Sequence, residues 1–191
     1  YKRVGSWKSN MKSDNAYVLV LGASIVDILG FSQNTYKQKD SIPGKIKISL
    51  GGVCRNIAEN MARVGVNTKF ISILGDDEQG RNILEHSKIM GYNMEHSLLL
   101  ENRRTPTYMA VLDENGEMVS AIVDMHCLDE MDEDFIDSKK EIICNAEYTF
   151  LDADNPKLME HILTTYSEKT KFVLDPVSAV KAEKIKHLIK Y

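Results

Sequence analysis

Two adjacent glycines, Gly51 and Gly52, open the stretch GGVCRNIAENMARVG and constrain this chain more than any other feature. They close an alternating run at residues 45–50 (KIKISL), which predicts a strand with one wet face. Paired glycines let the main chain approach a bound molecule where any Cβ would clash. Asn56 follows four residues after Gly52, at the start of a helical stripe with apolar residues at 57, 61 and 64. An Asn at a helix start either caps the first turn or points its amide at a polar ligand. A tight turn with a capped helix accounts for this piece as well as a binding loop does.

Strands and helices alternate around it. Residues 17–22 (YVLVLG) read as a buried parallel strand. Pro43 and Gly44 make a turn. Residues 68–74 predict a strand ending in Gly75, and 78–90 a helix closed by Gly91. Two β-rich runs, 107–112 and 117–123, flank the sequence DENG, a hairpin signal. Residues 131–146 are acidic, then apolar, and read as helical. A strand is expected at 148–151, a helix with an early Pro at 156–168, a strand at 171–174 and a helix at 178–190. From residue 68 onward this order predicts a parallel sheet covered by helices. The half-wet pieces near 45–50 and 107–123 suit a small separate sheet. Residues 1–16 are polar and basic and read as a linker or an upstream remnant.

Composition excludes several classes. The chain of 191 residues is long enough for one domain with a core. A net charge of −4 gives no electrostatic case for nucleic acid as a partner. No apolar run approaches the ~20 residues that span a membrane, and the first fifteen residues show no signal-peptide pattern. A cytoplasmic protein is expected. The three cysteines, Cys54, Cys127 and Cys144, are odd in number and fit reduced thiols better than disulfides or zinc. The five histidines show no metal-ligand spacing, and the acidic stretch 129–134 reads as a solvated helix start.

The spacing of Gly51, Gly52, Asn56, Ala58, Gly65 and Gly75 resembles the N-terminal signature of the PfkB/ribokinase-like sugar and nucleoside kinases. Cys54 departs from it, standing where that family usually has a small Gly, Ala or Pro. The likeness extends over most of residues 17–191, and SIPGKIKISLGGVCRNIAENMA, ENGEMVSAIVDM and VLDPVSAVK look closest to the pseudouridine kinases. The resemblance implies a ribokinase-like three-layer α/β/α fold with a mostly parallel sheet and a small β lid that often pairs between subunits. Such kinases run considerably longer, and the chain starts at Tyr1 rather than Met. It is therefore expected to be the N-terminal part of a kinase domain, with the C-terminal portion absent.

Ligands of open parallel sheets bind at the carboxyl ends of the strands. The polar residues there are Asp27, Asp76–Asp77, Asp152, Asp154 and Asp175. The carboxylate of Asp27 can accept two hydrogen bonds from adjacent ribose hydroxyls; as a bland alternative it is a solvated turn residue. The resemblance implies that Asp27, Gly51, Gly52 and Asn56 hold the sugar, with the lid closing over it. Thr107 and Asp124 are candidate contacts to the base, or ordinary strand residues. Asp152, Asp154 and Asp175 are expected near phosphates and Mg²⁺, acting through water, with helix capping as the alternative for Asp154 and Asp175. Arg55 is expected either to meet phosphate or to be a surface charge.

In the family the catalytic base and the anion cradle come from a C-terminal Gly-Ala-Gly-Asp segment. These residues contain none, nor any Walker-type loop. The reading is thus the substrate-binding part of an ATP- and Mg²⁺-dependent kinase acting on the 5′-hydroxyl of a nucleoside, pseudouridine first. A kinase for ribose, adenosine or another sugar, or a truncated non-catalytic ligand-binding or dimerisation module, are the alternatives. The chain alone is expected to be inactive and to form a homodimer through its lid strands.

Overall fold

The computed structural model describes residues 16–191. The stretch expected to be a linker lies outside them, apart from Ala16, which is buried and accepts a hydrogen bond from the Asn67 side chain. Apolar β1 (Val18–Leu21) is buried at all four positions. It is the centre of a parallel sheet with β4 (Thr68–Ile71) on one side and β9 (Tyr148–Asp152), then β10 (Lys171–Asp175), on the other. Side chains of successive strand residues leave on opposite faces. Leu19, Leu21, Ile71 and Leu151 accordingly join one core, with Leu158, Met159, Ile162 and Leu163 of α5 (Pro156–Tyr166). Val20 and Phe70 join the other, with Cys54 and Ala58 of α1 (Val53–Arg63) and Ile83 of α2 (Glu78–Met90). Helices thus cover both faces, which makes three layers.

The helix ends follow local chemistry. The Asp77 carboxylate caps α2 by accepting from the Gly80 N–H at 2.8 Å, and Gly91 closes it with φ 86°. Asn155 caps α5 through the Leu158 N–H. The expected helix 131–146 is two short ones, α3 (Glu133–Ser138) and α4 (Lys140–Cys144). The last expected helix shortens to α6 (Ala179–Ile185) and a 3₁₀ turn.

The expected strand 68–74 is also two pieces. Ser72 interrupts it, because its N–H donates to the Ser97 hydroxyl and its own hydroxyl accepts from the Ser24 N–H. Beyond it, β5 (Ile73–Gly75) pairs in parallel with β6 (Leu98–Leu100) as a separate ribbon.

A second sheet has the order β3 (Gly44–Gly51), β2 (Ile25–Ser32), β7 (Thr107–Leu112), β8 (Met118–Asp124). The β7–β8 hairpin turns where the DENG signal placed it. There the Asp113 carboxylate accepts from the N–H groups of Asn115 and Glu117, and Gly116 takes φ 84°. Strand β2 was not expected. Its sequence, IVDILGFS, has apolar residues on both faces and no alternation to mark it. Only three residues separate it from the end of β1, so the central sheet runs almost directly into the lid.

Candidate functional site

The glycine pair lies where lid and central domain meet. Gly51 ends β3 opposite Ile25, and Gly52 is the residue before α1, with φ 93° and ψ 130°. That backbone region is one side chains rarely enter, and a Cβ on Gly52 would stand 2.5 Å from the Ala23 carbonyl oxygen. A Cβ on Gly51 would fall inside the Asp27 carboxylate. Asp27 therefore lies against bare backbone. No side chain caps the start of α1 among the described residues.

Asp27 is a strand residue of β2, half-buried, rather than a turn residue after β1. Burial pushes its carboxyl above the usual range, and the Arg55 guanidinium opposes that rise. Arg55 itself is buried. Its Nε donates to the Gly51 carbonyl at 3.0 Å, one terminal nitrogen donates to Glu59 Oε2 at 2.5 Å, and the other donates to the Asn56 side-chain oxygen. Glu59 is shared with Arg63 at 2.8 Å. The structure thus turns Arg55 inward, and its charge is answered by Glu59 instead of a surface or an open phosphate site.

Thr107 and Asp124 stand directly opposite each other across the β7–β8 hairpin. Thr107 is paired with Val26, so both belong to the face of the lid sheet that carries Val26 and Leu50. Asp27 lies on the other face, with Ser49 and Tyr108 as its neighbours. The structure therefore brings Thr107 and Asp124 together but does not put them on the same face as Asp27.

The remaining aspartates gather at the carboxyl ends of β9 and β10. Asp152 and Asp175 are in register. Asp175 holds a turn by accepting from the Val177 N–H at 2.8 Å, whereas the helix cap expected as its alternative role falls to Ser178. Asp154 is paired with Lys181. Asp152 is buried, with Oδ1 accepting from the Asp154 N–H at 3.1 Å and Oδ2 without a hydrogen-bond partner. Burial, then the charge of Asp154, pushes its carboxyl up. Beside it, Cys54 donates to the Leu21 carbonyl at 3.1 Å, and burial followed by the Asp152 charge drives its thiol well above the ordinary range. Both groups press on Gly22, where a Cβ would stand 2.9 Å from Asp152 Oδ2. Sequence reasoning missed this contact. The glycine ending the first strand was the available signal.

A cavity of about 590 Å³ opens at the ends of β1 and β9. Asp152, Asp154 and Lys181 line its polar side, and Leu151, Met159 and Ile162 its apolar side. Asp152 Oδ2 is enclosed, Asp154 is paired with Lys181, and among the described residues no three metal-ligating side chains come together. Asp76 and Asp77, also at strand ends, serve the local fold. Asp76 pairs with Arg81, and Asp77 accepts from the Thr105 N–H at 2.9 Å and hydroxyl at 2.6 Å. Burial works against the Asp77 charge, but these bonds hold its carboxyl below the usual range.

A profile of the pfkB family of carbohydrate kinases matches residues 15–191. The chain is 33% identical over 181 residues to the uncharacterized sugar kinase YeiI of Escherichia coli, covering 94% of this chain and 50% of that protein. It is also 33% identical over 171 residues to the pseudouridine kinase of Escherichia coli, covering 89% of this chain and 54% of that one. A solved structure of a candidate sugar kinase from Clostridium perfringens superposes with a TM-score of 0.86 at 63% identity, over 92% of this chain and 56% of the other. The ribokinase of Arabidopsis thaliana, solved with ribose and ATP, superposes with a TM-score of 0.71 at 20% identity, over 84% of this chain and 53% of its own, a likeness of fold. The chain spans about half the length of the curated relatives named here.

Proposed function

The chain belongs to the pfkB family of carbohydrate kinases, and from that premise we propose that it is the substrate-binding part of a kinase that phosphorylates the 5′-hydroxyl of a nucleoside, pseudouridine, with ATP as donor. The observation that carries this reading is the carboxylate of Asp27 seated on the bare backbone of Gly51, one turn before Asn56. The pseudouridine kinase of Escherichia coli and the solved ribokinase complex with ATP support the choice of acceptor and donor.

In this reading the two oxygens of Asp27 accept from adjacent sugar hydroxyls, and charge-assisted bonds of this type are the strong ones. The glycine pair lets the sugar lie against main chain. Asn56 completes the polar wall, and the lid excludes water that would compete as phosphoryl acceptor. The base is expected from a Gly-Ala-Gly-Asp segment, which these 191 residues do not contain. Any Mg²⁺ accompanying ATP is left to water and phosphate oxygens by the described carboxylates. Thr107 and Asp124, paired across the hairpin, are proposed as the contacts to the nucleobase.

The parent is further proposed to be a homodimer through its lid. One lid face carries Ile46 (76% exposed), Ile48, Met109, Val111 and Ile122 to solvent. Exposed apolar patches of this kind mark interfaces.

A panel of nucleosides and free sugars assayed with the full-length parent and ATP tests the substrate. Pseudouridine is expected to turn over fastest. Faster turnover of ribose, adenosine or fructose 6-phosphate would reject the nucleoside while leaving the family standing.

A further inference from the structure

Arg55 has five N–H donors and no acceptor. They are spent in three directions: on the Gly51 carbonyl, on Glu59 and on the side chain of Asn56. The guanidinium can only donate, so the Asn56 atom facing it has to be the amide oxygen. The NH₂ group of Asn56 then points away from Arg55. We propose that Arg55 is a positioning residue that fixes the orientation of the Asn56 amide, so that Asn56 meets the sugar as a donor while Asp27 meets it as an acceptor. This rests on the reading of Asn56 and Asp27 as sugar contacts.

The arrangement gives each sugar hydroxyl a direction. Ionised Asp27 only accepts, so it takes the hydroxyl proton, and the NH₂ of Asn56 donates to a hydroxyl lone pair. A flipped amide would present a second acceptor and compete for the same proton. Arg55 also ties the two sides of the site together, since the carbonyl it holds belongs to Gly51, the residue on which Asp27 lies. A phosphate clamp is disfavoured by the same bonds. Arg55 is only 5% exposed, and a phosphate would have to displace Glu59, which Arg63 also holds. Lysine cannot replace this fork, because one ammonium does not reach three acceptors in a plane.

The test is a double-mutant cycle on the full-length parent, with pseudouridine and ribose as titrated probes and ATP titrated separately. Asn56→Ala and Arg55→Ala are each expected to weaken the sugar-containing probe about tenfold. The double variant is expected to be no weaker than Asn56→Ala alone, because Arg55 acts through Asn56. ATP affinity is expected to stay the same. Arg55→Lys is expected to share the loss, and carries the same cycle if Arg55→Ala does not fold. Additive losses of about a hundredfold, a loss of ATP affinity on changing Arg55, or lower thermal stability with unchanged probe affinity would each overturn the role given to Arg55 alone. Wild-type binding unaffected by Asn56→Ala, or binding of neither probe, would instead overturn the reading of the site and this inference with it.

Discussion

The carboxylate of Asp27 occupies the volume that a side chain at Gly51 would need. A residue of β2 and the last residue of β3 thus form one unit, although 24 positions separate Asp27 and Gly51 in the chain. Any methyl group at position 51 has to expel the carboxylate. Gly51→Ala in the full-length parent is therefore expected to weaken nucleoside binding at least tenfold while the circular dichroism spectrum is kept. Unchanged affinity would mean that Asp27 does not need this seat to bind.

Asp27→Asn leaves one acceptor atom where there were two. A charged hydrogen bond is worth about 1.5–3 kcal/mol, so the expected loss of nucleoside affinity is roughly 10- to 150-fold, with ATP affinity untouched. Only the ionised carboxylate accepts at both oxygens. Because burial raises its pKa, wild-type affinity is expected to decline on acidification sooner than a solvated carboxylate would allow, and the Asn variant to lack this limb. Calorimetric titrations between pH 5 and 8 separate the two profiles.

Asp152 carries the opposite consequence for stability. Its folded pKa is raised, chiefly by burial, so the folded state binds this proton more tightly than the unfolded chain does. Stability from this group is full below the unfolded pKa and is lost as pH rises through the folded value. Asp152→Asn removes the charge and is expected to gain about 1 kcal/mol at neutral pH, roughly 2–4 °C in Tm. The gain should vanish below the ordinary carboxylate range. Denaturation at neutral and acid pH checks the sign, and a loss at neutral pH would show that the charge is held by a favourable partner.

The three thiols should react in two classes. Cys54 is fully buried with its thiol well above the ordinary range, and burial, then Asp77, pushes Cys127 up to about 11. Cys144 is half-buried. A disulfide reagent at pH 8 is expected to label Cys144 first and the other two only on unfolding. Rapid labelling of Cys54 in the folded state would contradict the packing around Gly22.

The lid row Ile48, Ile28, Met109, Ile122 runs across four paired strands. Charges placed in it should prevent two lids from meeting. The parent is expected to scatter light as a dimer, and an Ile48→Glu, Ile122→Glu variant as a folded monomer. A dimer that survives both substitutions would place the interface elsewhere.

Much of this was legible in the sequence. The helix 78–90 ends at Gly91 as expected, and the DENG turn formed the hairpin expected of it. The resemblance over most of residues 17–191 and the three-layer fold agree with the family profile, which matches residues 15–191, and with the solved neighbours. Strand β2 was illegible because both its faces are apolar, so it has no period to read. The break at Ser72 depends on the Ser97 hydroxyl and the Ser24 N–H, and no local pattern reports a partner 25 or 48 residues away. Arg55 was ambiguous for the same kind of reason. A cation beside a glycine turn looks the same in sequence whether it faces solvent or folds back on a carbonyl, and only the position of Glu59 and Asn56 around it decides.

The three-residue step from β1 into β2 has a mechanical consequence. Asp27 travels with the lid sheet, whereas Asn56 travels with the helix packed on the central sheet. On the proposed reading, a sugar touching both is a strut between the two sheets, which the chain joins through residues 22–24 and at Gly52. Such a strut favours one angle between the sheets, and by reciprocity any contact that favours the same angle tightens the grip on the strut. In that reading the grip is a property of an angle as much as of a set of side chains.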